Sequence, residues 1–231
     1  MKPARRQVVD HRVRVGRERS ARTERRILEA ASRVFAERGP DAPVIDEFVR
    51  AAGIARGTFY NYFDSVEELL RATSAWTTRE VLQSIERAMA DLDGPTLRLG
   101  VGLRLFFRHA RRDPTWSRFV SRVWSVGGLE LPVRDIEEGV RLRHFRVPGP
   151  EAARDLLFGG IREALRRIGD GEAPASFEDQ MAEICLQALR ADPRRIASVL
   201  AHPLPELPAA QRGDPSASER ETGGRAATAR R

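Results

Sequence analysis

Lysine is almost missing from this 231-residue chain. Lys2 is the only one, so the basic side of the composition is otherwise arginine, whose planar fork pairs bidentately with phosphate and guanine as an ammonium does not. Cysteine occurs once, at Cys185. That excludes an intrachain disulfide framework and suits a reducing, cytoplasmic setting. Long apolar runs are also missing, because Arg, Asp or Glu interrupts every candidate; no membrane span is expected, and the basic N-terminus lacks the apolar core of a secretion signal. His109, His144, His202 and Cys185 fall at no metal-ligand spacing, so no metal is expected. Nor does a nucleophile–base pair or phosphate loop mark an enzyme, and no cofactor is expected. With no strand-period segment and no internal repeat, the chain reads as all-helical.

What is present is the composition of a folded chain. Hydrophobic residues make up 41% and charged residues 32%, which suits a soluble globular protein with solvated tails rather than a disordered one. The length leaves room for one medium domain or a small domain followed by a larger one. A net charge of +7 points to an anionic partner, and that charge is localised. Met1 to Arg26 holds ten basic residues against Asp10, Glu18 and Glu24, a surplus equal to that of the whole chain, so the remainder is balanced.

Helical periodicity and Gly/Pro punctuation divide the rest. A first helix is expected over about 22–37, with Ile27, Leu28, Ala31, Val34 and Phe35 on one face, and Gly39-Pro40 stops it. Two short amphipathic patterns, about 44–51 and 55–62, flank the turn Ala52-Gly53-Ile54. Ser65-Val66-Glu67-Glu68 reads as a capping box opening a long fourth helix that leaves the first domain and enters a second. Asp113-Pro114 and Asp192-Pro193 are N-caps followed by proline at the first helical position. Arg104, Arg108, Arg111 and Arg112 give the helix before Asp113 a basic side, read as a solvated face. Further helices are expected over about 150–168 and 176–190, with Pro, Gly, Ser and Arg marking a tail beyond Pro203. The expected organisation is a disordered basic arm (1–20), a DNA-binding domain (21–66), a helical regulatory and dimerisation domain (67–202) and a disordered tail (203–231).

Two short helices around a glycine turn are the sequence form of a helix-turn-helix, in which one helix braces and the next enters the DNA major groove. From Arg22 to Leu70 the chain resembles the N-terminal domain of the tetracycline-repressor family of one-component transcriptional regulators, through Gly39, Ala52, Gly53, Gly57, Thr58, Tyr60, Tyr62, Phe63, Glu67 and Leu69. Gly53 falls where the turn needs a left-handed backbone. Gly57 and Thr58 open the recognition helix, the first small enough to admit a phosphate backbone and the second able to bond to it. Tyr60 resembles the family's phosphate-contacting tyrosine, and Tyr62 is a similar candidate. Arg56 and Asn61 are the candidates for base edges, guanine and adenine respectively. Arg22 and Arg25 complete the DNA-binding set, while Phe59 and Phe63 are expected to pack on Phe35 and Phe48.

The chain also departs from the family pattern. Pro43, Val44, Ala55 and Val66 stand where small hydroxyls or a lysine usually contact phosphate, and the arginine-rich arm is a candidate to compensate. The resemblance implies a fold in which a three-helix DNA-binding domain is joined by a long fourth helix to a helical ligand-binding and dimerisation domain. It further implies homodimerisation through the last two long helices and a near-palindromic double-stranded operator. The residues proposed for that dimer contact are Leu157, Gly160, Ile161, Leu165, Met181, Cys185 and Leu189; each stripe reads equally as intradomain core. For an effector of unknown identity, expected to be apolar or aromatic, the candidate contacts are Trp76, Phe106, Phe107, His109, Trp116, Phe119 and Trp124. The function implied is a repressor relieved by that effector. The alternative is a ligand-independent activator or architectural DNA-binding protein.

Overall fold

Arginine is a good helix former, and between Pro3 and Pro40 no proline interrupts the chain. In the computed structural model, which describes residues 4–40, 43–124 and 133–207, the first helix α1 (Ala4–Arg38) accordingly takes in most of the stretch expected to be a disordered arm. Arg14 and Glu18 pair across one of its turns at 3.7 Å. Nine further helices follow among the described residues, with no strand: α2 (Ile45–Ala52), α3 (Arg56–Tyr60), α4 (Val66–Ala88), α5 (Pro95–Arg112), α6 (Pro114–Val123), α7 (Arg134–Arg141), α8 (Pro150–Gly169), α9 (Phe177–Ala188) and α10 (Pro193–Ala201). No described helix is long and apolar enough to cross a membrane.

The N-terminal domain closes around aromatic rings. Phe35, Phe48 and Phe59 are fully buried, and the Phe35 and Phe48 rings meet at 4.8 Å. Gly53 ends α2 in the left-handed region at φ 61°, and its N–H donates to the Arg50 carbonyl. Arg26, from the middle of α1, donates to the Ala52 carbonyl (2.6 Å from Nη2) and the Gly53 carbonyl (2.8 Å), so one guanidinium clamps the turn to the first helix. Gly53→Ala forces a Cβ into left-handed backbone 3.4 Å from that guanidinium. The substitution is expected to lower stability by ~1–2 kcal/mol, a few degrees of Tm in thermal unfolding. An unchanged Tm would mean that the turn does not need its glycine.

The predicted caps form. Ser65 Oγ accepts from the Glu68 amide at 3.1 Å, and Glu68 Oε2 accepts from the Asp64 amide at 2.7 Å, one residue earlier than a capping box requires. Asp113 Oδ1 accepts from the Trp116 amide at 3.0 Å, and Asp192 Oδ1 from the Arg194 amide at 2.8 Å.

Two helices tie the domains together. α4 runs on from the N-terminal domain, and α6 packs on the same α1. Phe119 of α6 meets Phe35 at 6.1 Å, while Arg122 donates to the Ala36 and Glu37 carbonyls at 2.7 and 2.9 Å, capping the C-terminal end of α1. In the larger domain α5 lies at the centre, with Val101, Leu105 and Phe107 fully buried. Of its expected basic side, Arg112 is exposed, whereas Arg104, Arg108 and Arg111 are engaged by neighbouring groups. Arg104 is buried, pairs with Asp179 of α9 at 2.7 Å and donates to the Val199 and His202 carbonyls. Arg108 donates to the Pro205 carbonyl at 3.0 Å, and Arg111 pairs with Glu178. These forks satisfy helix-end and strap carbonyls that the interior hides from water. They also hold residues 202–207, part of the expected tail, along α5, where Leu204 and Leu207 pack against the core.

Candidate nucleic-acid interface and effector cavity

α3 is short because its neighbours, not its own propensity, hold it. Phe59 and Phe63 anchor it in the core, with rings 6.1 Å apart, so the remaining positions are turned outward. Arg56, Gly57, Tyr60 and Asn61 are exposed and Thr58 is half-buried. A Cβ on Gly57 would meet nothing within 4 Å, so the protein's own packing does not require that glycine.

Arg56 pairs with Asp46 of α2 at 2.9 Å and stands 6.0 Å from the Tyr60 ring. Tyr60 and then Asp46 raise its pKa, so the guanidinium is charged at any working pH. A surface pair of this kind is weak and exchanges readily for a base or phosphate. Tyr62 Oη is bonded to Ser20 Oγ at 3.2 Å, which makes it a brace between α1 and the end of α3. Arg22 is exposed. Arg25 instead faces the larger domain: it pairs with Glu29 at 2.9 Å and lies 5.9 Å from the Trp76 ring of α4. The sequence departures have visible consequences, since Val44 and Ala55 cap α2 and α3 without a side-chain hydrogen bond, while Val66 packs on the core.

Between the two domains lies a cavity of about 540 Å³, in the size range of small-molecule sites. α1 contributes Glu29, Ser32 and Arg33; α4 contributes Trp76 and Glu80; the α5–α6 corner contributes His109 and Trp116. His109 and Trp116 meet edge-to-face at 4.7 Å. Burial holds the imidazole below its ordinary pKa, Asp113 opposing and Arg112 adding to the fall, so His109 is neutral at pH 7. Burial likewise lifts the Glu80 carboxyl, with Arg25 and a hydrogen bond from the Trp76 indole pulling it back and Glu29 pushing it up. The Trp116 indole N–H is buried with no acceptor among the described residues, the kind of donor a bound molecule satisfies.

Three of the seven residues expected to touch effector, Trp76, His109 and Trp116, thus share one cavity. Phe106 lines a second of about 70 Å³, between α4, α5, α7 and α8. Trp124 stacks edge-to-face on Phe158 of that second wall. Phe107 and Phe119 are fully buried and line neither, being core of α5 and of the α1–α6 contact. Sequence reasoning missed Glu80, Arg26 and Arg122; one half-buried acid on an amphipathic helix, or one arginine among many, carries no pattern.

The residues expected at the dimer contact are mostly spent inside the protomer. Leu157, Ile161, Leu165, Cys185 and Leu189 are buried, and only Gly160 and Met181 keep partial exposure. The register explains this: their face of α8 and α9 looks toward α5 and α6. The outward faces present Leu156 at 65% and Ile184 at 56% exposure. Burial pushes the Cys185 thiol up to about 11. It is therefore expected to resist alkylation by iodoacetamide at neutral pH until the protein unfolds.

Residues 27–73 match the family described as bacterial regulatory proteins, tetR family. The chain is similar to an uncharacterized HTH-type transcriptional regulator of Mycobacterium tuberculosis, MT1294, at 39% identity over 109 residues, which is 47% of this chain and 54% of that protein. The chain therefore spans about half the length of that curated relative. Among solved structures, RolR in complex with resorcinol superposes with a TM-score of 0.59 at 23% identity, over 83% of this chain and 99% of RolR. A TetR family transcription regulator from Marinobacter aquaeolei VT8 gives 0.61 at 20% identity, over 76% and 99%. At these identities the likeness is one of fold: an N-terminal helix-turn-helix domain followed by a helical domain.

Proposed function

We propose that this chain, whose N-terminal domain belongs to the tetR family of bacterial regulatory proteins, is a sequence-specific DNA-binding transcriptional regulator. It binds a near-palindromic operator as a homodimer and represses until a small effector releases it. The observation that carries the DNA-binding reading is the outward row Arg56, Gly57, Tyr60 and Asn61 on a helix fixed from behind by Phe59. The effector site is the cavity between the domains. Because α1 supplies part of its wall, an occupant touches the DNA-binding domain directly, and a change in α1's seat on α4 and α6 alters the spacing of paired recognition helices. A cavity of that size favours a ligand-responsive regulator over a ligand-independent architectural protein.

Selection of genomic fragments by the purified protein, followed by footprinting across a salt series, tests the reading. A protected near-palindrome with steep salt dependence supports it; weak, sequence-blind binding overturns it. On that operator Arg56→Ala is expected to cost ~1–3 kcal/mol and relax preference at one position of each half-site. Arg22→Ala is expected to weaken all sequences alike and to lower the log–log salt slope by about one per protomer.

A further inference from the structure

We infer that the interdomain cavity takes an organic cation with an aromatic or apolar body, held by the Glu80 carboxylate and the Trp76 and Trp116 rings. The inference rests on the reading of that cavity as the effector site. Glu80 is half-buried on the cavity wall, and no described cation lies within ion-pair distance of it. Arg25, the nearest cation named in its electrostatic surroundings, is engaged by Glu29 at 2.9 Å. The hydrogen-bond partner of Glu80 is the neutral Trp76 indole, so burial removes water without supplying a neutralising contact charge, and a ligand can supply that charge.

The rings on the same walls point the same way. Indole faces attract cations more strongly than other side-chain rings, and the chain itself sets a guanidinium 5.9 Å from the centroid of Trp76. That contact is an internal example of the chemistry the ring accepts. His109, neutral at pH 7, adds no charge to the wall; Asp113 and Glu29 are exposed and screened by solvent, and Glu29 is already paired with Arg25. Against a cation stand Arg33 and Arg112, both exposed and therefore screened by solvent, whereas Glu80 is sheltered.

The raised pKa of Glu80 has a stability consequence with a definite sign. A carboxyl whose folded pKa exceeds its unfolded value loses folded-state stability as pH rises from the unfolded toward the folded value. Glu80→Gln removes that cost. A residue kept for packing alone is not expected to improve stability when its charge is deleted; a residue kept for a ligand is.

The test is calorimetric titration of the full-length protein at pH 7 with benzyltrimethylammonium, benzyl alcohol and benzenesulfonate as cationic, neutral and anionic probes. The cation is expected to bind at least tenfold more tightly than either other probe. Glu80→Gln is expected to weaken the cation roughly tenfold, leave benzyl alcohol within about twofold and raise the ligand-free Tm by about 1–2 °C. Ser32→Trp, which fills the cavity from α1, is expected to abolish binding of every probe. Tightest binding by benzenesulfonate, no cation binding at about 10 mM, or a cation affinity untouched by Glu80→Gln overturns the inference. If benzyl alcohol binds and Ser32→Trp excludes it, but no cation preference exists, the cavity remains the effector site and only the ligand class falls. Probes that bind undiminished to Ser32→Trp sit elsewhere, and the cavity reading falls with the inference.

Discussion

Replacing Leu156 and Ile184 with glutamate is expected to convert the protein into a folded monomer with little operator affinity. Both side chains are large, apolar and outward on adjacent helices, at 65% and 56% exposure. Along α8 the same face continues through Gly159, exposed, and Gly160, partly so; along α9 it continues through Met181 and Ala188. A would-be Cβ on Gly159 meets nothing within 4 Å, which leaves room for a second copy to approach the backbone closely. Burying an unpaired carboxylate in such a contact costs several kcal/mol, so the dimer dissociation constant is expected to rise at least ~100-fold. A monomer engages one half-site and forfeits an effective-concentration gain of roughly 10²–10⁴. Sedimentation and operator titration read both effects. Because the two positions are exposed in the protomer, its own unfolding is expected to move by no more than ~0.5 kcal/mol. Leu165→Ala supplies the contrast: fully buried, it is expected to cost ~2–5 kcal/mol of protomer stability and leave the outward face intact. A double variant that still sediments as a dimer would place the contact on another face.

That prediction moves the contact from the residues a sequence reading selects, and the reason is geometric. Periodicity identifies an apolar stripe but not which neighbour covers it. On α8 the apolar stripe read from the sequence, Leu156, Leu157, Ile161, Leu165 and Ile168, divides: the last four are covered by the protomer itself, while Leu156, about 100° around the helix from Leu157, is not. The DNA-binding domain was far more legible, because its devices are local: a glycine turn, a capping serine, rings at fixed offsets. Even there Arg26 was invisible, since its bonds to the Ala52 and Gly53 carbonyls join positions 26 and 27 apart. Long-range forks of this kind also account for the basic side of α5, whose arginines look solvated in one dimension and serve as internal clamps in three. The cavity was half legible: Trp76, His109 and Trp116 follow from size and type, whereas Phe107 and Phe119 share those properties and lie in the core.

Deleting residues 1–19 is expected to flatten the salt dependence of operator binding and to weaken it roughly 10–100-fold at physiological salt. The stretch holds seven basic residues against Asp10 and Glu18, and from Ala4 on it is helix rather than a loose arm. Its direction is set where the chain enters the domain. Ser20 is bonded to Tyr62, just past the end of the recognition helix, so the preceding turns of α1 leave the domain beside α3. Arg26 faces the turn between α2 and α3, and a seven-residue step shifts a helical position by only about 20°, so Arg19 shares that face. A basic helix beginning at that end is expected to meet phosphates outside the base-reading site, where contacts add affinity without sequence preference. Neutralising two phosphates per protomer gives a dimer about four, and the log–log slope is expected to fall by about 3–4 on deletion. Replacing Arg5, Arg6, Arg12 and Arg19 with glutamine in the full-length chain separates charge from helix. The slope should fall nearly as far, whereas base preference and the footprint's centre should stay fixed. An unchanged slope in both variants would leave the missing phosphate contacts at Val44, Ala55 and Val66 uncompensated by this helix.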